Sequence, residues 1–153
     1  MATFERVSLL MSEVGPVLAP MAIDEWGEEK AWGVVLEDDL NVLVQFDEDK
    51  NCLVLSCELG TPPPGDRHAL YELLLQLNYH WTTTGGNRMA LDGPGGGVVQ
   101  VYEIGAEQLD ATALSSVLST FAGTARAWKK IVERPASTQS STLDLRAELG
   151  MRV

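Results

Sequence analysis

From Ala31 to Glu58 the chain alternates apolar runs with acidic turns too short for anything but antiparallel pairing. Ala31 to Leu36, Asn41 to Phe46 and Cys52 to Glu58 read as strands, separated by Glu37-Asp38-Asp39 and by Asp47 to Asn51. A parallel crossover needs about a dozen residues or more, so these connections make hairpins. The Met21–Trp26 stretch ahead of them is a candidate partner for the first strand. Val42, Val44 and Phe46 share a face of the second strand, as period-two alternation requires. In the third, Leu53 and Leu55 point one way and Val54 the other, so either both faces are partly covered or one is a binding surface.

Helical periodicity brackets this meander. Thr3 to Ala19 reads as an amphipathic helix with Thr3 at its N-cap. Phe4, Val7, Met11, Val14 and Leu18 fall in one stripe, Leu10 lies at its edge, and Leu9 projects almost opposite. Thr61-Pro62-Pro63-Pro64-Gly65 breaks the chain after the third strand, and Asp66 starts a second helix that runs to Tyr79. That helix is apolar on two sides. Leu70, Leu73, Leu74 and Leu77 form one stripe, while Tyr71, Leu75 and Tyr79 form another roughly 140° around. A helix with two apolar sides in a small domain needs two partners. The first is its own core; the second stripe, with Met89 nearby, is the candidate contact with a second subunit.

Met89 to Leu91 and Val98 to Ile104 read as two further strands, joined by the glycine-rich loop Asp92 to Gly97. A last helix runs from about Leu109-Asp110 to Glu133, with Leu114, Val117, Leu118, Phe121, Ala125, Trp128 and Val132 as its buried stripe, and stops at Pro135. The order α-β-β-β-α-β-β-α predicts an α+β domain: a mainly antiparallel, twisted sheet with three helices. It occupies residues 1–134, and residues 135–153 form a Ser/Thr-rich linker and tail.

Charge narrows the partners. With 11 Lys+Arg against 22 Asp+Glu, the 153-residue chain carries a formal charge of -11. Nucleic acids and anionic membrane surfaces are bound largely through cations, so both are excluded as partners. No apolar run approaches the roughly 18 residues a membrane span needs, and no leader is visible, which gives a cytoplasmic expectation. Cys52 and Cys57, on opposite faces of one strand and roughly 16 Å apart, are too distant for a disulfide.

Each chemical motif fails on geometry. Cys52, Cys57, His68 and His80 do not close a tetrahedral zinc site. Asp47, Asp49, Asn51 and Glu58 have the spacing of a calcium loop, but Cys52 stands where the sharp turn needs glycine, and a strand follows. Gly93 to Gly97 leads into a strand rather than a helix N-terminus, so no phosphate cradle forms. Cys57 and His68 lack a group to orient the histidine. The expectation is no catalytic residue, no metal and no cofactor.

The layout and several segments resemble the Tir chaperone (CesT-like) family of small acidic type III secretion chaperones, class I. The segments are Leu55–Asn78 (LSCELGTPPPGDRHALYELLLQLN), Arg88–Ile104 (RMALDGPGGGVVQVYEI) and Leu109–Val132 (LDATALSSVLSTFAGTARAWKKIV). Two features depart from the family pattern, namely the triple proline and the tail after Pro135. The resemblance implies a homodimer that binds the extended N-terminal region of a cognate effector, keeps it secretion-competent and brings it to the export ATPase. It also places the client along the first helix and the adjoining sheet face, where Leu9, Leu10, Trp26, Trp32, Val34, Leu36 and Leu43 are the candidate contacts. An extended client would pair with a strand edge and set apolar side chains in a groove. The competing readings are a YbjN-like or related peptide-binding module outside secretion, and an enzyme.

Overall fold

The computed structural model describes residues 1–20 and 22–134. The expected linker and tail, and Met21 at the start of the Met21–Trp26 stretch, lie outside the described residues. The chain begins with helix α1 (Phe4–Leu18), followed by strands β1 (Ala22–Trp26), β2 (Ala31–Leu36), β3 (Leu40–Asp47) and β4 (Cys52–Gly60). A 3-10 turn (Pro64–Asp66), helix α2 (Arg67–Tyr79) and the short α3 (Trp81–Thr84) lead to β5 (Arg88–Leu91), β6 (Val98–Gly105) and helix α4 (Ala111–Val132). The strands form a six-stranded sheet in the order β1-β2-β3-β4-β6-β5. β1–β2, β2–β3, β3–β4 and β5–β6 pair antiparallel.

The α+β architecture and the antiparallel meander are as the sequence predicts, with two additions. β1 is a strand in its own right, giving four strands before α2, and α3 follows α2 as a single turn. The sequence offers this stretch as a candidate partner of β2 but not as a counted strand, because it is an edge strand: Ala22, Asp24, Glu25 and Trp26 are exposed and only Ile23 is half-buried. Its polar residues break the apolar alternation by which half-buried strands are recognised.

The chain divides into two compact units. One comprises Met1–Cys57 with Tyr102–Gly123, and the other Glu58–Val101 with the chain from Thr124. In the first, the β2–β3 register opposes Trp32 to Val44, Val34 to Val42 and Leu36 to Leu40. The β3–β4 register adds Cys57, Leu55 and Leu53 opposite Val42, Val44 and Phe46. All of these side chains are buried, and because directly paired residues share a face, they form one continuous apolar surface. α1 covers its β1–β2 side: the Phe4 ring stacks on Trp32 with centroids 5.5 Å apart, and Val7, Leu10, Met11 and Val14 are buried. Thr3 caps α1 by accepting from the Arg6 amide, and the helix ends at Ala19 in the left-handed region. Arg6 extends to donate to the carbonyls of Glu107 and Leu109.

The turns carry the acidic residues. Asp38 and Asp39 both have positive φ (62° and 54°), a conformation that short Asp side chains tolerate better than most. Lys30, in the β1–β2 turn, pairs with Glu48 in the β3–β4 turn. Asp47 accepts from the Lys50 amide at 3.0 Å. Asn51 is occupied twice, since Ala2 N–H donates to its Oδ1 and Ala106 N–H to its carbonyl, both at 3.0 Å. Of the residues with calcium-loop spacing, Asp47 thus serves the turn and Asn51 anchors the N-terminus.

In the second unit, α2 buries Leu70, Leu73, Leu74 and Leu77. The β5–β6 hairpin closes through Asp92 N–H to the Gly97 carbonyl and Gly96 N–H to that of Gly93. A side chain at Gly96 would meet the Asp92 carboxylate, since a Cβ there would lie 1.8 Å from its Oδ1. The glycines serve this turn. α4 belongs to the first unit up to Gly123, where Asp110 caps it by accepting from the Ala113 amide at 2.7 Å and Leu114, Leu118 and Phe121 are buried; Ala125 and Trp128, in the second unit, are buried too.

Asn51 supplies a direct stability test. Asn51→Ala removes one side-chain hydrogen bond and places an alanine at φ 52°, which should cost about 1–3 kcal/mol in denaturant unfolding. Asn51→Gly should recover the backbone part of that loss and not the hydrogen bond.

Candidate functional site

Two surface features stand out, one in each unit. The first is an open groove of about 480 Å³ between α1 and β1. Met11, Gly15, Ile23 and Trp32 contribute to its lining, with Ser8 and Glu25 as its polar groups. Gly15 keeps this side of the helix low: a Cβ there would come within 4.0 Å of Ile23 Cδ1. Glu25 sits directly opposite Trp32 in the β1–β2 register. Its Oε2 accepts from Ser8 Oγ at 2.7 Å and from Trp32 Nε1 at 2.8 Å. The Ser8 and Trp32 hydrogen bonds hold its carboxyl below the usual range, against a smaller opposing effect of desolvation, so it is anionic at neutral pH. The buried indole thereby has the acceptor that a sunken tryptophan needs.

The second feature is an apolar depression of about 250 Å³ between α2 and β5, lined by Tyr71, Leu74, Leu75, Met89, Ala90 and Leu91. Leu75 is 70% exposed and Tyr79 80% exposed, side chains that a solitary helix would not leave in water at no cost. Asn78 fixes this surface with a reciprocal pair of hydrogen bonds, donating to the Met89 carbonyl and accepting from the Met89 amide, each at 2.9 Å. Tyr71 donates to the Gly96 carbonyl at the long distance of 3.4 Å.

The expected subunit-contact residues therefore come together: Tyr71, Leu75 and Met89 line one depression, and Tyr79 is exposed on the same helix. The expected client contacts do not form one surface. Leu10, Trp32, Val34 and Leu36 are buried, Trp32 to 1% exposure, so these four candidate client contacts offer no exposed surface. The β2–β3 register explains it, because these strand residues share the face of Val42 and Val44 and are core. Leu43 pairs with Gly33 and points to the other side of the sheet, half-buried. Trp26 is 47% exposed and lies on that opposite side, its ring over Gly33, where a Cβ would approach its Cη2 to 2.9 Å. Leu9 is 59% exposed on α1. Of the seven residues, only Trp32 lines the α1–β1 groove. Ser8, Met11, Ile23 and Glu25 were missed. Their common surface depends on the β1–β2 register, which the sequence does not fix even where it offers Met21–Trp26 as the partner of β2.

Cys52 and Cys57 are both buried, and burial, with Asp47 and Glu103 nearby, pushes the Cys52 thiol upward, away from nucleophilic use. Among the described residues there is no group of three or more His, Cys, Asp or Glu side chains placed to hold a metal, and no helix long and apolar enough to cross a membrane.

Among the described residues, β1 is an edge strand of the sheet with a groove beside it, and a separate apolar face lies on α2 and β5. The chain belongs to the Tir chaperone protein (CesT) family, whose model matches residues 27–129. It is thus a member of a chaperone family. Its fold is similar to that of the ExsC–ExsE complex, at 17% identity over 89% of this chain and 100% of that one, with a TM-score of 0.74. The HopA1–SchA chaperone–effector complex matches at 14% identity over 81% and 93%, with a TM-score of 0.64. The Yersinia pestis type III secretion chaperone SycH, in complex with a stable fragment of YscM2, matches at 23% identity over 81% and 98%, with a TM-score of 0.60. No curated protein sequence matches the chain.

The reciprocal Asn78–Met89 pair generates a prediction. Asn78→Ala should cost about 2 kcal/mol, and hydrogen exchange at the Met89 amide should quicken more than exchange in β3. Asn78→Asp should not rescue it, since a carboxylate cannot donate to the Met89 carbonyl.

Proposed function

We propose that the chain is a homodimeric type III secretion chaperone. It binds the extended N-terminal segment of a cognate effector in the bacterial cytoplasm, keeps it soluble and brings it to the export ATPase. The observation that carries this reading, beside the family membership, is the open β1 edge next to the α1–β1 groove. A non-globular segment can add a strand to such an edge and seat apolar side chains in the groove. Three of the structures similar to this fold are complexes: ExsC with ExsE, SchA with HopA1, and SycH with a fragment of YscM2. Leu9, exposed on α1, and Trp26 with Leu43 on the other sheet face, are the exposed or half-buried contacts that a wrapping client would reach.

Self-association is assigned to the α2–β5 face. Removing side chains such as Leu75, Tyr79 and Leu91 from water contributes about 1.5–3 kcal/mol each when burial is complete. Light scattering should give twice the 16.6 kDa monomer mass. Leu75→Asp should give the monomer mass while the chain keeps its helix and strand content. A monomer in the parent protein at micromolar concentration would contradict the dimer. Client binding is tested by co-expression with candidate effectors, starting with the product of the neighbouring gene. Leu9→Asp and Trp26→Ala should each reduce co-purification without changing the oligomer. Full co-purification with both variants would place the client elsewhere.

A further inference from the structure

The α1–β1 groove contains an anion only partly used by the fold. Both hydrogen bonds that orient Glu25, from Ser8 and from the Trp32 indole, end on Oε2. Among the described residues, Oε1 has no hydrogen-bond donor and the carboxylate has no cationic partner. A carboxylate has about four lone-pair positions, so two remain for an incoming donor. Glu25 is exposed, so its free oxygen is open to a donor arriving from solvent or on a client.

We propose that this groove is a two-part anchor that selects an apolar side chain together with a basic one on an extended client segment. The inference rests on the proposed client-binding role and specifies its chemistry. The apolar side chain packs against Pro20, Ala22 and Ile23, above the buried Met11 and Trp32, and an Arg or Lys on the same face of the segment donates to Glu25 Oε1. Residues two apart share a face of an extended chain, so the basic residue stands two positions from the apolar one. Charge complementarity favours this occupant: the chain carries -11, and the groove's own polar group is an oriented anion. The fixed carboxylate contributes specificity more than bulk affinity, because a segment lacking the cation leaves an oriented charge partly desolvated and unpaired.

The probe is a random-peptide display library selected in parallel on the parent protein and on Glu25→Gln. Glutamine keeps a carbonyl oxygen for Ser8 and Trp32, so the variant should melt with the parent. The parent should enrich peptides with Arg or Lys two residues from Leu, Ile, Met or Phe. Glu25→Gln should keep the apolar preference and lose the basic one. The best parent-selected peptide should bind Glu25→Gln about fivefold more weakly, the scale of one partly exposed charge-assisted hydrogen bond. Replacing its basic residue by alanine should weaken binding to the parent by a similar factor and to Glu25→Gln hardly at all. That comparison on the parent protein stands even if the variant folds poorly. Equal basic enrichment by both proteins, or alanine replacement without effect on the parent, overturns the role of Glu25 and leaves client binding standing. Failure of the parent protein to enrich any peptide overturns this inference and the placement of the client on this groove together.

Discussion

The β2–β3 register is the constraint on which the rest of the first unit depends. By opposing Trp32 to Val44 and Val34 to Val42 it commits one face of the meander to the core, and α1 then has a surface to cover. A slip of one residue would turn Val34 and Val42 to the outside and bring Gly33 and Leu43 inward. The Asp38–Asp39 turn, with both residues in the left-handed region, locks the register at the Leu36–Leu40 end. The same register places Gly33 on the outer face, where the absence of a side chain leaves room for the Trp26 ring.

Function follows from what this arrangement leaves unsatisfied. β1 contributes one row of backbone groups to β2 and, among the described residues, has no strand on its other side. Such an edge invites pairing, and natural proteins usually blunt it. Here it is short and carries Asp24 and Glu25, which guards against self-pairing between two acidic copies while leaving the edge open to a strand of other composition. The α2–β5 face has a different character. It is apolar, rigidly held by Asn78 and poor in charge, as suits an interface between copies rather than a changing client.

Much of the fold was legible because its signals are local. Short acidic connections dictated hairpins, and Thr3, Asp110 and the glycine loop marked helix and turn boundaries. The two-sided α2 was legible for the same reason, since Leu75 and Tyr79 fall outside the Leu70–Leu77 stripe by helical geometry alone. The client surface was less legible. Trp32, Val34 and Leu36 are equally apolar whether they face a groove or a core, and only pairing with β3 decides between the two. Glu25 drew no notice in the sequence because an acidic residue in an acidic chain is unremarkable. Its significance arises from lying opposite Trp32 across a strand pair.

The central claim is that an extended client docks on the α1–β1 side of the sheet and not on the α2–β5 face. Hydrogen–deuterium exchange on the chain alone and with a bound effector segment tests it directly. The account predicts that client binding slows exchange in β1, from Ala22 to Trp26, and in the groove-facing turns of α1, while β5 is unchanged. Slowed exchange in β5 and α2 with β1 unaffected would contradict it.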